Sequence, residues 1–258
     1  MRIALDVSCL ATNGRGFARY VQVLLQGMEA ALPARDALLL YSDRGILPDL
    51  LPARFRDSLR ILPPRRFHTL WRRHDLVHAA RADRADLLHF PDTASAATGA
   101  LPAVATVHDI SPVLLRRPRL ASLPMRLLFR RMLSSVRRNA RLVIAVSERD
   151  RLDLEGYWGE GRPPVLAVYH GIRQPAILPP LEPPSPPYFL FVGALEARKN
   201  LPGLLAGFSR FKDATALPHR LLLRRYPPHG RQHRAGRRRG GGAHGSHSLG
   251  DLLRADER

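Results

Sequence analysis

Short apolar runs alternate with longer amphipathic ones through the first 170 or so residues. Runs at residues 3–7, 37–41, 86–90, 103–108 and 142–146 have strand length and little internal polarity. Between them, residues 17–32 and 123–140 carry apolar positions at helical spacing. Strands that read as continuous apolar segments, separated by helices, predict a parallel sheet covered on both faces. In the second helix Met125, Leu128, Phe129, Met132 and Val136 fall on one face, while Arg126, Arg130, Arg137 and Arg141 share another. The expectation is that the apolar face docks on the sheet and the basic row faces outward.

The pattern breaks at residues 174–187, where Pro175, Pro179, Pro180, Pro183, Pro184, Pro186 and Pro187 exclude both helix and sheet. This predicts a first Rossmann-like domain at 1–173, a proline linker at 174–187, and a second α/β unit starting at 188. The restart is the most pointed stretch of the chain. An apolar run from Tyr188 to Val192, able to be covered on both faces, leads to Gly193. Arg198 and Lys199 then precede the helical stretch 201–211. A strand, a glycine turn and a basic helix entrance bring amides and cations to one point, the arrangement of an anion site. Only residues 188–223 keep this patterning. From 224 to 258 the texture is Arg, Gly, His and Pro without apolar period, read as a disordered basic tail. Leu221-Leu222-Leu223 looks like the next strand, and GC-rich codons read out of frame give this tail composition, so a frameshift near Leu223 is expected.

Charge and cysteine content narrow the classes. A net charge of +19 raises nucleic acid and anionic membranes as partners. Nine arginines and no acid lie between Ile110 and Val146, and nine arginines against three acids follow Leu221. The first cluster reads either as a solvated helix face or as a membrane-facing one. Aromatic interleaving is missing from the tail, where Tyr226 stands alone, so no specific nucleic-acid partner is expected. Cys9 is the one cysteine, and no run approaches the length of a membrane span, which together suggest a cytoplasmic protein, with peripheral contact at the inner face of the membrane as the further reading.

Candidate chemistry sits at predicted strand ends. Residues 12–20 form a glycine loop opening a helix, with Gly16 and Arg19 facing a ligand or merely making a tight turn. His108 and Asp109 follow the apolar run at 103–107, and in open α/β sheets that edge faces the ligand crevice. His108 stands equally for a catalytic group and a structural one. Ser147 and Glu148 end another strand, as cleft groups or as helix cap and first-turn acid. His89 ends a third, so His89, His108 and Ser147 are expected to rim one crevice. No His, Cys, Asp or Glu grouping has metal-ligand spacing, and no metal is assigned.

These pieces together resemble the family 4 glycosyltransferases, retaining sugar-nucleotide enzymes of GT-B architecture. The resemblance runs from Met1 to about Leu223. It is carried by Gly16-Phe17-Ala18-Arg19-Tyr20, Val107-His108-Asp109, Ala145-Val146-Ser147-Glu148, Tyr169-His170-Gly171-Ile172 and Val192-Gly193 through Arg198-Lys199-Asn200-Leu201. It is nearest to bacterial mannosyltransferase-like members of polysaccharide biosynthesis. The resemblance implies a nucleotide-sugar donor such as GDP-mannose, held as substrate with no other cofactor, and a glycan or lipid-linked acceptor. The Gly16 loop and His108 would then line the acceptor side and reacting sugar, and Gly193, Arg198 and Lys199 the donor phosphates. Two departures stand out. Ala194 occupies a place where many members carry a polar or basic residue, and the family's later pair of glutamates has no counterpart, since Glu257 is the only glutamate after Glu196. An impaired, truncated form of the enzyme is therefore expected; a basic nucleic-acid-binding protein and a non-catalytic sugar-binding remnant are the rival readings.

Overall fold

The computed structural model describes residues 1–12, 15–93, 97–114, 123–172, 184–193 and 199–225. The chain divides into two compact units, Met1–Tyr226 and Pro227–Arg258, and all described residues belong to the first. Residues 173–183, which take in most of the predicted linker at 174–187, and the tail from 226 onward lie outside the described residues.

Seven parallel strands form the main sheet: β1 (Arg2–Asp6), β2 (Ala37–Ser42), β3 (Leu59–Ile61), β4 (Leu87–Phe90), β5 (Ala103–Val107), β6 (Leu142–Ala145) and β7 (Val165–Ala167). Their order is β3-β2-β1-β4-β5-β6-β7. The chain winds outward from β1 to β3, then returns to place β4 on the other side of β1. Carboxyl ends of β1 and β4 thus flank the point where winding reverses, the position at which such sheets open a crevice.

Period-two alternation explains the core. Ile3, Leu5, Val7, Leu38 and Leu40 pack with Val21 and Leu25 of α1 (Arg15–Ala31). Ala4, Tyr41, Leu88 and Phe90 meet Trp71, Leu76, Val77 and Ala80 on the opposite face. That second layer is one irregular helix: α2 (His68–Trp71), a one-turn π segment (Arg72–Leu76) and α3 (Val77–Ala82). Further along, α5 (Leu123–Asn139) and α6 (Glu148–Trp158) cover β5 to β7 through Leu133, Val136, Leu154 and Trp158. A short α4 (Ser111–Leu114) precedes α5.

The expected docking of α5 needs correction. Leu133 and Val136 are buried, but Leu123, Met125, Leu127 and Leu128 are exposed beside Arg130 and Arg131. Length accounts for it: a 17-residue helix runs about 25 Å. A five-residue strand runs only about 16 Å. From Phe129 onward the helix reaches the sheet, and the turns before it overrun it. Among the described residues no helix is long and apolar enough to cross a membrane.

A second, two-stranded parallel sheet is formed by β8 (Tyr188–Gly193) and β9 (Arg220–Arg225), joined through α7 (Leu201–Ala214). Phe189 meets Phe208, Phe211 and His219 edge-on or stacked. Coverage of β8 on both faces is not realised: Tyr188, Phe189, Leu190 and Val192 are all exposed, because α7 is the one helix that joins this sheet among the described residues.

Candidate active site

The adjacent carboxyl ends of β1, β4 and β5 deliver Asp6, then Pro91 and Asp92, then His108 and Asp109. His108 is half-buried, and its Nε2 lies 2.8 Å from the Pro91 carbonyl oxygen. A carbonyl only accepts, so Nε2 carries the proton and Nδ1 keeps its lone pair. Burial holds the imidazole below its ordinary range and nearby His170 lowers it further, against the Pro91 hydrogen bond, which raises it. The ring is caged by others. Phe17 lies 4.9 Å away and Tyr20 4.7 Å, both edge-on, and His170 lies 5.2 Å away. Tyr20 also meets His170 at 5.0 Å. Phe17 stands in the first turn of α1, so the sheet end and the helix entrance share one aromatic cluster.

His89 lies beneath the rim, not on it. It pairs in register with Leu5 and Val104 and is buried between them. Its Nε2 is 2.9 Å from Thr106 Oγ1, which in turn is 3.0 Å from Tyr20 Oη. Burial first, and His108 second, push the His89 imidazole down to about 4, so it is neutral near pH 7. The chain His89-Thr106-Tyr20 ties a core residue to the ring cluster above it.

Other sequence candidates take varied places. A Cβ added at Gly16 would meet nothing within 4 Å, so the protein's own packing does not require glycine there, and open space lies over the α1 entrance. Arg19 is exposed. Asp109 Oδ1 accepts from the Ser111 amide at 2.7 Å and so caps α4. Ser147 Oγ accepts from the Asp150 amide at 3.1 Å, making it the cap of α6. Glu148 is exposed and paired with Arg151 in the first turn of that helix. Gly193 ends β8 beneath the Phe191 ring, 3.3 Å from where a Cβ would stand, and Lys199 is exposed just before α7. Arg198 lies outside the described residues.

Three contributors were given no site role from the sequence, although His170 and Tyr20 lie in motifs that carry the resemblance. His170 arrives on the segment after β7, held against α1 because Gly171 has no side chain to strike Val23. Tyr20 and Thr106 meet across 86 positions. The third is a buried charge cluster. Arg72 donates from Nε to Asp6 Oδ2 at 2.6 Å, and from Nη1 and Nη2 to the two oxygens of Asp92 at 3.0 and 2.8 Å. Burial would raise the Asp6 carboxyl, yet Arg72 and Ser8 together hold it below the usual range. Burial also works against the Arg72 charge, but the two carboxylates more than offset it. Cys9, close by, has its thiol pushed up to about 12, by burial first and by Asp6 next. Among the described residues no group of three His, Cys, Asp or Glu could hold a metal ion.

Comparison with known proteins agrees with this topology. The profile of Glycosyltransferase Family 4 matches residues 15–174. The lipopolysaccharide outer core galactosyltransferase WaaB, in its apo form, superposes with a TM-score of 0.51 at 12% identity, over 86% of this chain and 60% of that one. S. aureus MnaA in complex with UDP gives a TM-score of 0.49 at 11% identity, over 87% and 62%. Anabaena HepE in complex with UDP-glucose gives 0.45 at 13% identity, over 88% and 70%. The chain thus spans about three-fifths of the length of the first two. No protein of curated function matches it in sequence. The fold class is α/β and GT-B-like.

Proposed function

Because this chain belongs to glycosyltransferase family 4, we propose that its cleft is the acceptor-side half of a retaining enzyme that moves a hexose from a nucleotide sugar to a glycan or lipid-linked acceptor. The observation that carries this reading is His108: neutral, caged by rings, and turned so that Nδ1 is a hydrogen-bond acceptor at the end of a central strand. Such a group accepts a hydrogen bond from a sugar hydroxyl and, while it stays neutral, places no cation beside the positive charge that develops on the reacting sugar carbon. The open space at Gly16 lets a substrate approach the amides that start α1. Negative charge growing on the departing diphosphate would be met by Lys199, with Arg198 beside it in sequence. Mannose from GDP-mannose is the sugar we assign.

Cytoplasmic location, at the inner membrane face, is supported by the first turns of α5, where exposed Leu123, Met125, Leu127 and Leu128 stand among arginines.

Calorimetric titration with GDP-mannose and UDP-glucose, paired with a radiolabelled transfer assay, tests the enzyme reading. Donor binding and transfer that His108→Gln abolishes are expected. Transfer insensitive to His108→Gln would remove His108 from the site. Flotation on anionic and neutral vesicles tests the membrane contact, which equal recovery on both would exclude.

A further inference from the structure

We propose that Arg72 is a positioning residue: by clamping Asp92 it fixes the adjoining Pro91 carbonyl and so decides which ring nitrogen His108 turns to the cleft. The proposal rests on the reading of His108 as the cleft group, but its geometry is independent of what the cleft binds.

The chain of contacts is continuous. Asp6 ends β1 and is held by Ser8, whose amide lies 3.0 Å from Asp6 Oδ1. Asp6 Oδ2 takes the Arg72 Nε proton at 2.6 Å, and the two terminal nitrogens of Arg72 grip both oxygens of Asp92. Asp92 is covalently next to Pro91. Proline has a fixed φ and no N–H, so the direction of its carbonyl depends on its own ψ and on how the following residue is held. That carbonyl is the acceptor for His108 Nε2. A planar fork on both oxygens is something a lysine ammonium cannot reproduce.

Energetics favour a positioning role over a stabilising one. Burying such charges costs several kcal/mol per ion, and apolar replacements of buried ion pairs are often neutral or better. Trp71 and Leu76 show that this same helix can supply apolar groups to the core. The backbone is also built for the placement. Arg72 opens the π segment of the α2–α3 helix, and a single π turn inserted in a helix re-aims the side chains it carries. Released from the clamp, the Pro91 carbonyl would drift from Nε2. Part of the His108 population would then move to the Nδ1–H tautomer, and that fraction presents a donor where a sugar hydroxyl needs an acceptor.

The test uses the full 258-residue chain with 15N-labelled histidine, reading tautomers from ring-nitrogen shifts and assigning His108 by its disappearance in His108→Gln. The unaltered protein should show the Nε2–H form. Asp92→Asn, which leaves the Asp6–Arg72 pair in place, and Arg72→Lys should each lower the Nε2–H to Nδ1–H ratio by about tenfold, roughly the worth of one hydrogen bond. Arg73→Lys, an exposed neighbour, should leave it unchanged. A merely structural Arg72 would lower the melting temperature with the tautomer intact, and that result overturns the proposal. Should Arg72→Lys fail to fold, Asp92→Asn decides alone, since the Asp92 side chain is 24% exposed and the buried pair survives its change. Absence of any nucleotide-sugar binding alongside a clamp-dependent tautomer would sink the transferase reading and leave this one standing.

Discussion

In the seven-stranded sheet Ala4 and Leu5 of β1 are both fully buried, because α1 lies over one face and the α2–α3 helix over the other. In the two-stranded sheet Phe189 and Leu190 of β8 are 47% and 55% exposed, although β8 is the more aromatic strand. The contrast separates two properties that hydropathy runs together. An apolar strand states what burial it needs; whether it gets that burial depends on how many layers the chain supplies. The first sheet has helices on both faces, and its five inner strands are paired on both sides. Among the described residues the second has one partner strand and one helix.

The largest expected effect breaks the first sheet from its core. Trp71 is fully buried, and Trp71→Ala should lower unfolding free energy by about 3–5 kcal/mol. A urea titration followed by far-UV circular dichroism measures it. A loss below ~1 kcal/mol, the level of an ordinary surface change, would mean that the α2–α3 layer is not the lid of this sheet.

Acid should attack the same sheet through His89. Its folded pKa near 4 lies below the ordinary 6.5, so between those values the unfolded chain binds more protons than the folded one. Stability therefore rises with pH across that window and is lost as pH falls through it, by about 3 kcal/mol for this group. His89→Gln should flatten that part of the profile of urea midpoint against pH. A slope unchanged in the variant would assign the acid sensitivity elsewhere, with His108 and His68, also lowered by burial, next in line.

Ser147→Ala should cost about 1 kcal/mol by removing the α6 cap, with faster hydrogen exchange confined to the first turn of that helix. Catalytic participation by Ser147 would instead appear as lost transfer at unchanged stability. Smallest of all, Phe189→Ala in β8 should change stability by only about 0.5 kcal/mol, since much of the ring already faces water. A cost matching that of Trp71→Ala would erase the contrast between the sheets and show that β8 is covered in solution.

How much of this was legible in sequence follows from length and depth. β1, β2, β4, β5, β6 and β8 announce themselves as apolar runs. β3 and β7 have three residues each, too short to stand out as strands, and β3 is broken by Arg60. The α2–α3 helix hid for another reason: its π segment puts five positions between Trp71 and Leu76, so Trp71 falls out of step with Leu76, Val77 and Ala80, and the buried Arg72 reads as polar surface. At the site, the strand-end rule located His108, whose partner is a backbone carbonyl nearby in the chain. It misjudged the depth of His89, because the same rule cannot tell the last residue of a strand from the one before it. Ser147 and Glu148 carried both readings, and the geometry places them as cap and first-turn acid. Arg72 and Asp6, 66 positions apart, leave no local trace of their pairing.

Cys9 gives the molecule a built-in clock. It is the only thiol in the chain, and it sits just past β1 with its ionisation pushed up to about 12. A thiol so placed barely reacts with alkylating reagents while the sheet is closed. Its modification rate at neutral pH therefore counts openings of the first sheet alone, whatever the two-stranded sheet does meanwhile. One mass-spectrometric time course, on a protein carrying no added label, can time the breathing of the half that holds the cleft.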